Sequence, residues 1–199
     1  MKKLALALLI AAPFAASAAD LVQNGSFEAD VQGAGTWNIY SNLTNWSGAS
    51  NIELRNNVAG TAFDGANFVE LDTRSNSAMT QVLTGAAGQY VLSFWYSARP
   101  GVVAGSNGLS VAFDGGAPLN VLETTAGGSV NNWQQYSALV NFDGNAALTF
   151  GAIGVSDSYG GSLDKVSFTT SPVPEPETYA LMLAGLGALG VVARRRKAV

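Results

Sequence analysis

Short runs of alternating apolar and polar residues fill the middle of the chain, and glycine-containing turns separate them. The clearest run covers 89–98, where every second residue from Tyr90 to Tyr96 is aromatic or aliphatic. This period of two is typical of a β-strand with one buried face, and no long stretch has the period of an amphipathic helix. Strands are predicted at 21–27, 52–55, 67–71, 79–83, 89–98, 109–113, 119–123, 137–142, 146–150 and 162–168.

Turn residues between these runs indicate how the strands connect. Asp114-Gly115-Gly116 and Asp143-Gly144 are typical of hairpin turns, because Asp-Gly tolerates the positive φ angles that a tight turn needs. Many short strands at this spacing predict an all-β domain over 20–170, a β-sandwich of the jelly-roll type.

The alternation also predicts which side chains form the core. One face of the strands collects large apolar residues, namely Tyr90, Leu92, Phe94, Phe113, Phe142, Phe150 and Phe168. Trp95 is out of phase with this set, so its indole should project from the outer face of its sheet. Trp133 begins a strand after a loop and is interpreted as a core residue.

The beginning of the chain has the order of a secretory signal peptide. Lys2 and Lys3 are followed by an apolar run over 4–16 and by the small residues Ala16-Ser17-Ala18. We therefore predict that 1–18 is a signal peptide that is cleaved after Ala18. A short membrane anchor is the alternative, but the apolar run is too short to span a bilayer comfortably.

The end of the chain combines three features in a fixed order. A linker over 171–177 comes first, then an apolar stretch over 178–193, then a basic tail over 194–199. A helix over the apolar stretch rises about 24 Å, somewhat less than the ~30 Å hydrocarbon core of a bilayer. Because basic residues stay on the cytoplasmic side, we predict a single short transmembrane helix with the preceding domain outside.

These C-terminal features together resemble the PEP-CTERM sorting signal of Gram-negative bacteria that secrete exopolysaccharide. The residues that carry the resemblance are Pro174, Glu175, Pro176, Arg194, Arg195 and Arg196. In that family a membrane-embedded exosortase recognises and processes the tail, so the resemblance implies only transient residence in the membrane. It also implies export across the inner membrane and delivery to the cell surface or the extracellular matrix. A permanent tail anchor is the alternative.

Composition and charge exclude several functions. The chain has no cysteine and no histidine, which excludes disulfide frameworks, Cys/His zinc sites and histidine-dependent nucleophilic catalysis. Between Asp20 and Ser171 there are four basic and twelve acidic residues, a net charge of −8. Such an acidic domain is not attracted to phosphate backbones, so we expect no nucleic-acid partner.

Two short motifs near the ends of the domain resemble the galactose-binding-like jelly rolls of many carbohydrate-binding modules. They are Asn24-Gly25-Ser26-Phe27-Glu28 and Leu163-Asp164-Lys165-Val166. In that superfamily the first and last strands pair, and a structural calcium often lies beside them. The resemblance therefore implies carboxylate ligands at Glu28 and Asp164, in keeping with the oxygen ligands that calcium prefers. Two solvated strand-end acids are the alternative, and Lys165 stands where the family often has a second acid.

Sugar recognition is the function that this resemblance implies. A sugar ring stacks its C–H face on an exposed aromatic ring, and guanidinium groups bind its hydroxyls. The candidate glycan contacts are Trp95, Arg99, Trp46 and Tyr159. Trp46 lies with Trp37 and Tyr40 in an early segment that is rich in Asn and Ser and is interpreted as a loop. A structural salt bridge is the alternative role for each arginine of the domain.

We therefore expect a secreted, surface-sorted protein whose non-catalytic β-sandwich binds glycan or the exopolysaccharide matrix. Two alternatives stay open. One is a structural matrix protein that binds no sugar. The other is a small glycan hydrolase that takes its carboxylate pair from Glu53, Glu70 and Asp72.

Overall fold

A computed structural model describes residues 19–122 and 125–171 and, further on, only 184–187, 189 and 194; the side chains at 49, 50 and 120–122 are not described. The strands over this part of the chain are β1 (Trp37–Leu43), β2 (Trp46–Asn56), β3 (Asn67–Glu70), β4 (Ala78–Thr84), β5 (Gly88–Ser97), β6 (Gly108–Phe113), β7 (Asn120–Leu122), β8 (Gln134–Phe142), β9 (Asn145–Ile153) and β10 (Ser162–Thr170). The all-β class that the alternation predicts is confirmed.

The two predicted export segments fall largely outside this description. The predicted signal peptide at 1–18 lies outside the described residues. Of the predicted transmembrane helix at 178–193, residues 184–187 and 189 are described, and they are helical. Within the described residues, no helical segment has the length and apolar character of a membrane span.

The described strands form one curled antiparallel sheet in the order β7-β6-β9-β4-β2-β3-β10-β5-β8, with β1 alongside β2. Strand β2 passes from one layer of the sheet to the other. Its start pairs with β4 at Ser47 and Gly48, and its end pairs with β3 from Glu53 to Asn56. We call β1, the end of β2, β3, β10, β5 and β8 the front layer, and β4, β9, β6 and β7 the back layer. Two facing layers of this kind make the predicted jelly-roll sandwich.

The core lies between the two layers and follows the predicted alternation. Phe113 is half-buried, and the other predicted core residues are buried: Tyr90, Leu92, Phe94, Phe142, Phe150 and Phe168. Edge-to-face contacts join the layers, as between Phe94 of β5 and Phe150 of β9, whose ring centroids are 5.2 Å apart. Aromatic side chains bury a large apolar area at each position, so these pairs hold the layers face to face.

The early segment that contains Trp37 and Tyr40 is strand β1, not the loop that its composition predicts. It pairs with β2 along its length, from Trp37 to Leu43. Most of its side chains are exposed or half-buried, so no apolar alternation marks it as a strand. Trp46 begins β2 in the same hairpin.

The strand predicted at 21–27 is a bent segment instead. Asn24 and Phe27 have φ angles of 53° and 62°, which lie outside the β region. The start of the segment still lies against the last strand, because the Leu21 N–H donates to the Phe168 carbonyl at 3.0 Å. First and last parts of the domain are therefore adjacent, although the first is not a regular strand.

The two predicted hairpin turns have different outcomes. Asp114 and Gly115 have φ angles of 51° and 66° and connect the paired strands β6 and β7, as Asp-Gly predicts. Asp143-Gly144 connects β8 in the front layer to β9 in the back layer, so it is not a hairpin turn. Local turn chemistry predicts that the chain reverses, but it does not determine which strand the next one pairs with.

Candidate functional site

The outer face of the front layer carries charged side chains that are nevertheless buried. In β2, Glu53 and Arg55 alternate with buried apolar residues and therefore point away from the core. The strand register places Glu70 of β3 directly opposite Glu53. Arg55 and Glu70 are 0% exposed and Glu53 is 6% exposed. Because these side chains point away from the core, another part of the chain must cover them.

Two loops cover this face. The 57–66 loop connects β2 to β3, and the 154–161 loop connects β9 to β10. The second loop is attached to the cluster below it where the Gly160 N–H donates to Glu70 Oε1. A Cβ at Gly160 would lie 3.1 Å from Glu70 Cγ, so glycine allows the loop to approach this closely.

A cluster of four charged side chains lies under these loops, and its charges cancel. Arg55 Nε contacts Glu53 Oε1 at 2.6 Å, and Arg55 Nη2 forms an ion pair with Glu70 rather than a well-directed hydrogen bond. Arg99, which follows β5, contacts Glu70 Oε2 at 3.1 Å through Nη1. Two carboxylates directly opposite each other on neighbouring strands repel, and the two arginines offset that repulsion. We call these four residues the Arg–Glu cluster.

Arg55 has more N–H groups than the cluster satisfies. Its Nη1 atom is buried and has no hydrogen-bond partner among the described residues. Burial lowers the pKa of Arg55 to about 10, while Glu53 opposes this shift, so the guanidinium stays charged at neutral pH. A buried charged donor without an acceptor is unfavourable, and such a group in a native fold is usually explained by bound water, an ion or a ligand.

The cluster opens to solvent through a depression of about 270 Å³, which Glu53, Arg55 and Arg99 help to line. Two aromatic side chains also line it, and Trp37 is 53% exposed and Tyr159 50% exposed. The guanidinium carbon of Arg99 lies 4.7 Å from the Tyr159 ring centroid, a cation–π contact that keeps the ring beside the cluster. The remaining lining residues are Val58, Ala59, Thr73 and Ser158.

The chemistry of the depression suits a small polyhydroxylated molecule. Half-exposed aromatic rings offer faces to C–H groups. Arginine N–H groups donate to hydroxyl oxygens, and carboxylate oxygens accept hydroxyl hydrogens. A concave site that combines apolar walls with a few fixed polar groups is the usual form of a small-molecule binding site.

Two of the four predicted glycan contacts come together here. Arg99 and Tyr159 lie far apart in the sequence and both line the depression. The prediction for Trp46 is wrong, because its indole is 1% exposed and packs in the core between Phe27 and Phe150. A ligand at the surface does not reach a side chain in that position.

Trp95 points to the outer face, as its alternation predicts, but it lies outside the depression. Phe63 of the 57–66 loop stacks on it, with ring centroids 3.7 Å apart and planes at 14°. Trp133 packs against the edge of Phe63, and its Nε1 donates to the Thr61 carbonyl at 3.0 Å. Trp133 is therefore half-buried on the outer face and is not the core residue that its position predicts. Sugar stacking by Trp95 stays a prediction, and stacking on the covered ring face requires Phe63 to move.

Asp164, one of the two predicted calcium ligands, anchors the middle of the 57–66 loop. Its Oδ2 accepts hydrogen bonds from the N–H groups of Phe63 at 2.8 Å and Asp64 at 2.9 Å. Burial raises the pKa of Asp164 to about 7, while these backbone donors oppose the rise because they stabilise the carboxylate. The same two bonds fix the position of Phe63 over Trp95.

Glu28, the other predicted calcium ligand, anchors the end of the same loop. Its Oε1 accepts the N–H groups of Ala66 at 2.8 Å and Asn67 at 2.6 Å. Calcium takes about six to eight oxygen ligands, whereas oxygens of Glu28 and Asp164 already accept backbone N–H groups. In the described part of the chain, no three acidic residues are placed to hold a metal ion. The pair as arranged does not fit calcium, and structural calcium stays a sequence-based prediction.

The placement of the carboxylates does not suit the hydrolase alternative. A glycosidase needs two carboxyl groups on opposite sides of the bond that it cleaves. Glu53 and Glu70 share the Arg55 guanidinium, and Asp72 is buried. Of these three acids only Glu53 lines the depression, so no carboxylate pair of this set faces it in the described structure.

Trp37, one of the early aromatic residues that the sequence analysis treats as a loop, also lines the depression. Glu53 and Arg55 line it too but carry no glycan-binding signal of their own in the sequence. The alternation over 52–55 is the signal that could have found them, because both share the face opposite the apolar residues. The partners of Arg55 on other strands depend on strand register, which the sequence does not show.

Comparison with protein families identifies the C-terminal tail. Residues 172–197 match the PEP-CTERM protein-sorting motif, which confirms the resemblance carried by Pro174, Glu175 and Pro176. This motif indicates a protein that is exported and sorted to the cell surface. No curated protein matches the chain significantly.

Comparison with solved structures confirms the jelly-roll fold of carbohydrate-binding modules. TmCBM61 in complex with β-1,4-galactotriose is 21% identical with a TM-score of 0.50, over 77% of this chain and 99% of that chain. The K2 cleaved adhesin domain of Lys-gingipain is 15% identical with a TM-score of 0.52, over 74% of this chain and 97% of the domain. The arabinose-bound MgGH51 α-L-arabinofuranosidase is 18% identical with a TM-score of 0.50, over 76% of this chain and 26% of the enzyme. At these identities the likeness shows the fold alone.

Proposed function

We propose that this chain is an exported, surface-sorted protein that binds a glycan, without catalysis, in the depression above the Arg–Glu cluster. The observation that supports this most is Arg55 Nη1, a buried donor without an acceptor on a side chain that lines the depression. A sugar hydroxyl supplies such an acceptor. Trp37 and Tyr159 offer half-exposed ring faces beside it.

The fold also supports binding over catalysis. One structure that shares it was solved with galactotriose bound. In another, the similar part covers 26% of an arabinofuranosidase, so the fold is a minor part of that enzyme. Together with the missing carboxylate pair in the described depression, this favours a module that holds a glycan and leaves it intact.

Extracellular polysaccharide of the producing cell is the proposed partner of the depression. The sorting motif at 172–197 indicates delivery to the surface, and the signals that it resembles belong to bacteria that secrete exopolysaccharide. An exosortase-type membrane enzyme is the proposed partner of the tail itself. Residence of 178–193 in the membrane would then be transient.

Removing the Tyr159 ring should release the protein from its polysaccharide. Affinity electrophoresis of the full chain, in gels that contain the host's extracellular polysaccharide, measures this retention. We expect Tyr159→Ala to lose about tenfold or more in affinity, because a few aromatic anchors usually dominate a binding site. Its melting temperature should stay that of the wild type, since the ring is half-exposed.

Val82→Ala is the matched control for this experiment. Val82 is 65% exposed on β4 of the back layer, away from the depression, so its retention should equal that of the wild type. A wild-type protein that no polysaccharide of the host retards would contradict glycan binding. The structural matrix protein would then be the better account.

Replacing Pro174 and Pro176 with alanine should trap the full-length protein in the membrane. The processed wild-type protein should lack everything after roughly Pro176, the end of the recognition motif, and should be found at the surface or in the medium. Intact-mass spectra of the surface fraction measure this. Surface protein that still ends at Val199 would show a permanent tail anchor instead.

A further inference from the structure

The Arg–Glu cluster bears on which sugars the proposed site accepts. Each charge of the cluster is already paired, Arg55 with both glutamates and Arg99 with Glu70. An incoming carboxylate would compete with a resident carboxylate for the same arginines. If it succeeded, a buried Glu53 or Glu70 would be left without its partner, which is strongly unfavourable.

The surroundings of the depression add no positive charge that would hold an anion. Arg55 and Arg99 are the basic residues that line it in the described structure, and both are paired. The 154–161 loop contains Asp157 and no basic residue. The domain between Asp20 and Ser171 carries −8, so its long-range field repels an acidic polysaccharide.

The unsatisfied donor of Arg55 is better matched by a hydroxyl than by a carboxylate. A hydroxyl group is a donor and an acceptor at once, whereas a carboxylate only accepts. A hydroxyl oxygen can accept from Arg55 Nη1, and its hydrogen can be donated to Glu53, whose Oε1 accepts from Arg55 Nε and whose Oε2 accepts from the Thr73 hydroxyl. Arg55 and Glu53 both line the depression, and this pairing adds no charge to it.

The depression has room for about one sugar ring. Its volume of about 270 Å³ is just below the ~300–1,000 Å³ that is usual for sites of drug-sized ligands. A single ring can contact the exposed faces of Trp37 or Tyr159 while one of its hydroxyls reaches the cluster. Recognition would therefore centre on one unit of the glycan.

We propose that this depression selects an uncharged hexose unit and discriminates against the corresponding uronate. One hydroxyl of the bound unit bridges Arg55 Nη1 and Glu53. The inference rests on the proposed function, because it takes the depression to be the glycan site. It adds the chemical class of the sugar that the site takes.

Competition between matched sugars tests this selectivity. The full chain is bound to the host's extracellular polysaccharide and released with galactose, glucose or mannose, or with the corresponding uronate, which differs only in the oxidised and charged C6. We expect at least one hexose to compete at a concentration about tenfold lower than its uronate. A uronate that competes equally well would overturn the inference and leave glycan binding intact. Retained protein that no hexose releases would also overturn it, and protein that is never retained would contradict the proposed function itself.

Glu53→Gln gives a second readout. The substitution keeps the size of the side chain and removes one negative charge from the cluster, so the uronate should gain about tenfold relative to its hexose. Asp143→Asn removes the same charge at the exposed turn between β8 and β9 and should leave the ratio unchanged. A folded Glu53→Gln variant with an unchanged ratio would overturn the inference. If that variant does not fold, the competition between hexose and uronate for the wild-type protein decides whether the inference holds.

Discussion

Arg55→Met should lower the free energy of unfolding by about 3–5 kcal/mol. The substitution keeps much of the side-chain volume but removes the charge between Glu53 and Glu70, which lie opposite each other and are buried. Breaking a buried ion pair leaves an uncompensated charge in a poorly solvated place, and that charge dominates the loss. Urea denaturation measures the change.

Two further variants locate the origin of this effect. Arg74 is exposed, so Arg74→Met should change the free energy of unfolding by no more than about 0.5 kcal/mol. Adding Glu53→Gln to Arg55→Met should recover part of the lost stability, because it removes a stranded carboxylate. A double variant as unstable as the single one would show that the packing of Arg55, and not its charge, stabilises the fold.

Trp46→Ala should lower the free energy of unfolding by about 3–5 kcal/mol, the cost of an aromatic cavity in a core. The indole is 1% exposed, and its centroid lies 6.0 Å from that of Phe27 and 6.0 Å from that of Phe150. Its Nε1 also donates to the Asn24 carbonyl at 3.1 Å, so the variant leaves a backbone acceptor without its partner. Chemical denaturation at neutral pH measures the loss.

Trp37→Ala makes the same chemical change at the surface and is the control. Trp37 is 53% exposed, so the free energy of unfolding should stay within about 0.5 kcal/mol of the wild type. A Trp46→Ala protein that is as stable as the wild type but no longer retained by polysaccharide would contradict the core position. It would restore Trp46 as a glycan contact.

The fold class and most of the core can be predicted from the sequence, because a sheet buried on one face leaves a period of two along each strand. Strand β5 shows this, since Tyr90 and Phe94 are buried as predicted. Strand β1 cannot be predicted in this way, because its side chains are largely exposed at the sheet margin. The crossing from β8 to β9 at Asp143-Gly144 depends on pairing with distant strands, which turn chemistry does not encode.

The site is only partly predictable for the same physical reason. Arg99 and Tyr159 are found by side-chain chemistry alone, because an arginine or an aromatic ring in a loop is available to a ligand. The pairing of Arg55 with Glu70 requires the register of β2 against β3. Trp95 shows a further limit of sequence-based prediction. The alternation predicts which face of the sheet Trp95 lies on, but it does not predict that the loop residue Phe63 stacks on the ring.

The indole N–H signals of the four tryptophans test the central claim, that glycan binds in the depression beside the Arg–Glu cluster. Trp37 lines the depression, Trp46 lies in the core, and Trp95 and Trp133 lie against the 57–66 loop. The full chain, labelled with nitrogen-15, is titrated with oligosaccharides of the host's extracellular polysaccharide. We expect the Trp37 signal to shift while the other three stay in place. A shift of Trp95 with Trp37 unmoved would place the glycan beside Trp95 and Phe63, outside the depression, and contradict the account.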